Sequence, residues 1–217
     1  MRYQSLLFGV LFLWMASVAS ANVITYDVTV STSLIAGTMG SLDFQFDPGP
    51  LVSEPATLQI VDFSTNGTLN PPPSITGDVS GTLPGTLSFD NLAALNDYFE
   101  PFTFGTTLVF DVIISTMAGG TSGSAFAFSM FSDAAGTIPT LTTDTTDGFA
   151  FTVGTNLDGT TTVTPFSPQT TVSPEETSAP EPGSLALLLA AVLACAGARR
   201  LQIGLRNGVT RQAAPPM

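Results

Sequence analysis

Between residues 22 and 166 the chain alternates apolar and polar side chains in short runs, separated by clusters of Gly, Pro, Asn and Asp. A period of two is the mark of strands with one buried face, and the clusters are turn-formers. Residues 41–47 show it most cleanly, with Leu42, Phe44 and Phe46 on one face and Asp43, Gln45 and Asp47 on the other. Residues 22–32 repeat the pattern with Tyr26, Val28 and Val30. Strand 56–63 changes parity after Ile60, which predicts a bulge or burial on both faces. Residues 64–74 carry Pro71-Pro72-Pro73 and read as a surface loop, because proline cannot donate to a sheet. Weak strands follow near Val79 and over 87–92, and residues 96–102 break the pattern with aromatics set among acids.

Residues 103–116 are apolar on both parities around Leu108 to Ile114, so they are expected to form a central strand covered on both sides. Strands at 124–131, 149–153 and 160–166, with a short edge piece at 137–141, complete a count of eight to ten. The fold class expected is all-β: a single antiparallel β-sandwich, jelly-roll-like, with two sheets of four or five strands and phenylalanines between them. An immunoglobulin-like sandwich and a β-solenoid are the alternatives, although no fixed-period repeat favours the solenoid.

The two ends are built differently. Residues 1–21 combine Arg2, an apolar core over 6–15, and Ala19-Ser20-Ala21. Small residues at Ala19 and Ala21 fit signal peptidase, so this segment reads as a secretory signal peptide cleaved before Asn22. The sandwich is expected over 22–166. Residues 167–182 are Pro, Ser, Thr and Glu with scarcely a bulky apolar side chain, a linker. Residues 185–198 then run fourteen positions without a charge and end at Arg199-Arg200. At about 1.5 Å per residue they would cover ~21 Å as a helix, short of the ~30 Å hydrocarbon core but apolar all round. Arginines just past such a run mark the cytoplasmic side. Residues 183–200 therefore read as a transmembrane helix with a basic stop, and 201–217 as a cytoplasmic overhang.

Pro180-Glu181-Pro182, Gly183-Ser184, the Ala/Leu run and Arg199-Arg200 together resemble the PEP-CTERM sorting signal of Gram-negative bacteria. The resemblance implies processing by exosortase, a membrane-embedded transpeptidase-like enzyme, after export through signal peptidase. It also implies a transient stay in the inner membrane, then delivery to the cell surface or extracellular matrix. The overhang after Arg200 departs from the usual end of such signals. In the body, Tyr26-Asp27-Val28-Thr29-Val30, residues 40–49, Asn96-Asp97-Tyr98-Phe99, Phe126-Ala127-Phe128-Ser129 and residues 144–148 resemble a small PEP-CTERM family of unknown function. That second resemblance implies no activity.

Charge narrows the chemistry further. Seventeen acidic residues face five arginines, with no lysine and no histidine, and every arginine lies outside 22–179. Such a body has nothing with which to neutralise phosphates, so nucleic acid is excluded as a partner. The absence of histidine removes Ser-His-Asp and Cys-His catalysis and most zinc sites. The single cysteine, Cys195, sits in the tail run and leaves the body without a disulfide. No enzyme is expected. Paired carboxylates are the only catalytic chemistry left, and neither Asp97 with Glu100 nor Asp62 with Asp90 is supported by its spacing. Calcium is the cofactor worth testing, because Asp beside glycine turns offers hard oxygen ligands. The candidate groups are Asp43 and Asp47 with Asp27, and Asp144 and Asp147 with Asp158, against the plainer reading of solvated carboxylates. Asn96, Asp97, Tyr98 and Phe99 are the candidate glycan surface for an extracellular polysaccharide, against the plainer reading that they close one end of the core. The expected role is a structural or adhesive surface protein, with a non-catalytic polysaccharide- or calcium-binding module as the alternative.

Overall fold

The computed structural model describes residues 21–175; the signal-peptide and sorting-tail residues, including Ala19, Pro180 to Ser184, Arg199 and Arg200, lie outside that range. In chain order the strands are β1 (Asn22–Ser31), β2 (Met39–Pro48), β3 (Thr57–Thr65), β4 (Thr68–Leu69), β5 (Ser74–Thr76), β6 (Val79–Ser80) and β7 (Leu87–Asp90). They continue with β8 (Asp97–Thr103), β9 (Thr107–Thr116), β10 (Ser124–Phe131), β11 (Phe149–Thr155), β12 (Thr161–Pro165) and β13 (Thr170–Glu175). One sheet runs β13-β1-β9-β3-β7-β6. The second runs β12-β11-β10-β2-β8-β4, with β5 also pairing with β8. Pairing between the strands is antiparallel, and the architecture is an all-β sandwich of two sheets.

Alternation places the core. In β9, Leu108, Phe110, Val112 and Ile114 point inward and are fully buried. Opposite them stand Leu42, Phe44 and Phe46 of β2 and Phe126, Phe128 and Met130 of β10, also fully buried. The rings of Phe44, Phe110 and Phe128 meet pairwise at centroid distances of 5.4, 4.9 and 5.2 Å, so one cluster of three joins the sheets. Burying each such ring contributes about 1.5–3 kcal/mol.

Several expectations are narrowed or changed. The parity break in β3 is a bulge, with the register slipping between Val61 and Ser64 and Asp62 held at φ 53°. β9 is central, between β1 and β3, but Val109, Asp111 and Ile113 on its outer side are only half-buried, with no layer over them among the described residues. The proline loop conceals a two-residue strand, Thr68–Leu69, paired with Phe102 and Thr103, and residue 74 opens β5. Pieces this short carry no readable alternation.

Residues 96–102 do not interrupt the sheet; seven residues from Asp97 form β8, between β2 and β4. The inward row there is Tyr98, Glu100 and Phe102, and an inward glutamate is what disguised it. Residues 137–141 contribute one bridge, Pro139 to Phe131, rather than a strand. Finally, the expected linker at 167–182 begins too early. Thr170–Glu175 pairs with β1 from Thr25 to Val30, so the sheet takes in residues that composition alone assigns to a spacer.

Candidate functional site

β2 presents Ser41, Asp43, Gln45 and Asp47 on the face away from the core, and β8 beside it presents Asp97 and Phe99. Register puts Phe99 directly opposite Asp43 and Asp97 opposite Gln45, so Asp43 and Asp97 are diagonal neighbours. On the other side of Asp43 stands Ser129 of β10. The cover is a loop: Ser41 Oγ donates to the Asp133 carbonyl at 2.9 Å, and Gly136 abuts Phe99. At Gly136 φ is +69° and a Cβ would fall 2.6 Å from Phe99 Cε2, so only glycine allows this approach.

Asp43 is consequently 7 % exposed. Its Oδ2 accepts from Gln45 Nε2 at 2.9 Å, while its Oδ1 and the Oδ1 of Asp97 are buried without a donor. Burial, with the adjoining Asp97, pushes the Asp43 carboxyl up to about 9. Burial also raises Asp47, against the pull of the Asn96 amide that donates to its Oδ1 at 2.7 Å.

The expected calcium groups do not assemble as such. Asp43 and Asp47 share a face, but Asp27 belongs to β1 of the other sheet, where its direct partner is Asp111 of β9. Asp144 and Asp147 precede β11 and Asp158 follows it, at opposite ends of a strand about 20 Å long. The Asp144 carboxylate accepts from the amides of Thr146, Asp147 and Phe149, and Asp158 accepts from the amide and hydroxyl of Thr160, so these are turn-closing groups. Among the described residues no group of three acidic side chains is placed to hold a metal ion.

The expected glycan surface is divided as well. Tyr98 is fully buried, its hydroxyl donating to Glu100 Oε2 at 2.7 Å and accepting from the Leu83 amide at 3.1 Å. Asn96 is fully buried too. Its side chain donates to the carbonyls of Phe46 and Ala93 and accepts from the Asp78 amide, which leaves no group for a sugar hydroxyl. Only Asp97 and Phe99 keep a half-exposed side.

Neither carboxylate pair considered for hydrolysis spans a cleft. Asp97 points outward and Glu100 inward from one strand. Asp90 lies opposite Thr57, five residues along β3 from Asp62, or about 16 Å.

Three groups take places the sequence reading did not foresee: Glu100, Gln45 and Asp111. Glu100 shares the parity of Tyr98 and Phe102, which was a usable sign that it points inward. Its Oε1 has no donor, and burial holds the carboxyl above its ordinary range. Asp111 is raised by burial and by the charges of Asp27, Asp62 and Glu175, an acidic row across the outer face of the first sheet. On that sheet an open groove of about 520 Å³ runs past Thr57, Gln59, Asp78, Ser88 and Asp90. Phe89 is the one aromatic lining it, and at 2 % exposure it is turned into the core.

No protein-family model matches the chain, and neither a curated protein nor a solved structure matches it.

Proposed function

We propose that this chain is an exported structural or adhesive protein of the cell surface or extracellular matrix of a Gram-negative bacterium. In this reading it is sorted through the PEP-CTERM-like tail at residues 180–200. The observation that carries it is where the folded body lies between the two processing segments. β1 (from Asn22) and β13 (to Glu175) both lie between the expected cleavage before Asn22 and the motif at Pro180. Cleavage at both places would release the sandwich whole. Signal peptidase and exosortase are the processing partners in this proposal, and the membrane stay is the transit of residues 183–200 as a helix.

The strand order also supports a jelly-roll reading. β1, β9, β3 and β7 would form one four-stranded half, and β2 and β8 with the short β4 and β5 the other, so that the chain passes repeatedly between sheets. β10 would join that second half beside β2, with β11, β12 and β13 as additions at the margins.

Mass spectrometry of the protein from cells and from the surrounding matrix tests the proposal. A matrix form starting at Asn22 and ending near Pro180 to Pro182 is expected. An intact tail through Arg200, retained in the inner membrane, would overturn the surface assignment.

A second reading, a non-catalytic polysaccharide-binding module, is favoured by the groove on the first sheet, where Gln59, Asp78, Ser88 and Asp90 could meet hydroxyls. Retention of the protein on the producing organism's exopolysaccharide, lost in Gln59→Ala with Asp90→Ala, would support it. Equal elution of wild type and variant would remove it.

A further inference from the structure

We propose that Asp43 and Asp97 hold one proton between them on the outer face of the second sheet, and that this proton makes the sandwich more stable in acid than in alkali. The two side chains come together from residues 54 positions apart in the chain, on diagonal positions of β2 and β8. They lie within hydrogen-bonding reach of one another, yet the Oδ1 of each is buried without a donor. A buried oxygen without a partner is costly, and two facing carboxylates repel as well. One proton on Asp43 supplies the missing donor and removes a charge.

Among the described residues the surroundings offer no other remedy. On β2 the nearest titratable group is Asp47, a further negative charge; β8 contributes Asp97 itself. β10 presents Ala127 and Ser129, β5 presents Thr76 opposite Asp97, and the covering loop carries the acidic Asp133. Glu100 lies on the opposite, inward face. No lysine, arginine or histidine occurs anywhere in residues 21–175. Two carboxylates without a third are a poor cage for a divalent ion, whereas a single proton satisfies both orphaned oxygens.

The sign follows from linkage. Folded Asp43 is pushed up to about 9 against an ordinary value of 3.8. Between those values the native state binds one more proton than the unfolded chain. Stability is therefore fully present below the lower value, falls as pH rises, and is lost above the upper one. Through that window the folding equilibrium constant should fall roughly tenfold per pH unit from this site.

Two measurements on the full-length protein test the proposal. In the wild type, the ¹³C resonance of the Asp43 carboxyl should keep its protonated shift at pH 7 and move only towards pH 9. Titration in the ordinary carboxylate range would overturn the proposal without any variant. Urea unfolding from pH 5 to 9 should show Asp43→Asn, whose amide donates permanently to Asp97, losing this part of the slope and gaining on the wild type as pH rises. Parallel wild-type and variant curves would overturn it. So would stabilisation of the wild type by calcium chloride at pH 7 that releases a proton and is absent in Asp43→Asn, because a cation would then occupy the place assigned to the proton. Neither result bears on where the protein is sorted.

Discussion

Tyr98 shows how one side chain can mislead a reader of sequence and still organise a strand. Set between acids, it looks like a sugar platform; in the fold its ring is buried, 6.4 Å from that of Phe44, and its hydroxyl links Leu83 to Glu100. Tyr98→Phe keeps the ring and strips one partner from each of those groups. Urea unfolding should register a loss of about 1–3 kcal/mol, with β8 kept as a strand. Asp144 illustrates the reverse case, a residue that resembles a metal ligand and serves a turn. The amide of Thr146, foremost among its donors, holds its carboxyl below the ordinary value. Stability from this group is thus present above the unfolded pKa and lost as pH falls through the lower folded one. Asp144→Ala should speed hydrogen exchange at the Thr146, Asp147 and Phe149 amides and flatten the acid dependence of that exchange.

At the scale of elements, legibility followed strand length and exposure of the two faces. β2 was readable because a buried apolar row and a polar row differ sharply, and β10 because the large Phe126, Phe128 and Met130 alternate with the small Ala125, Ala127 and Ser129. β8 was not, because Glu100 stands in its buried row and Pro101 interrupts the strand sequence. In the fold the Glu100 carboxylate accepts from the Tyr98 hydroxyl two residues away, and the Pro101 carbonyl accepts from the Asn70 amide at 2.9 Å. β13 was missed for a different reason. Thr170, Thr171, Ser173 and Pro174 have the composition of a spacer, and they become a strand only because the edge of β1 offers backbone donors and acceptors. Both β12 and β13 are margin strands and both contain proline, which discourages further strand addition there. The strongest element-level dependence belongs to β9. Phe110→Ala removes the ring that joins Phe44 and Phe128 across the sheets and should cost about 3–5 kcal/mol in the same unfolding measurement, the largest loss of the substitutions named here.

For the molecule as a whole, charge is the governing property. Residues 21–175 carry carboxylates and no cationic side chain, so their long-range electrostatic interactions are repulsive. Added sodium chloride should therefore raise the melting temperature at neutral pH, since it screens repulsion and has no surface ion pair of the body to weaken. A melting temperature that fell with salt would contradict this account. By itself the sequence determined the all-β class, the identity of most inward rows and the uncompensated acidity, because alternation along one strand and net charge are local or additive properties. Only the tertiary structure decided that Asp43 meets Asp97 while Asp27 faces Asp111, that Tyr98 turns inward with Glu100, and that residues 170–175 join the sheet. Those outcomes depend on register between strands far apart in the chain, and register is set by how two whole sheets close over a shared core.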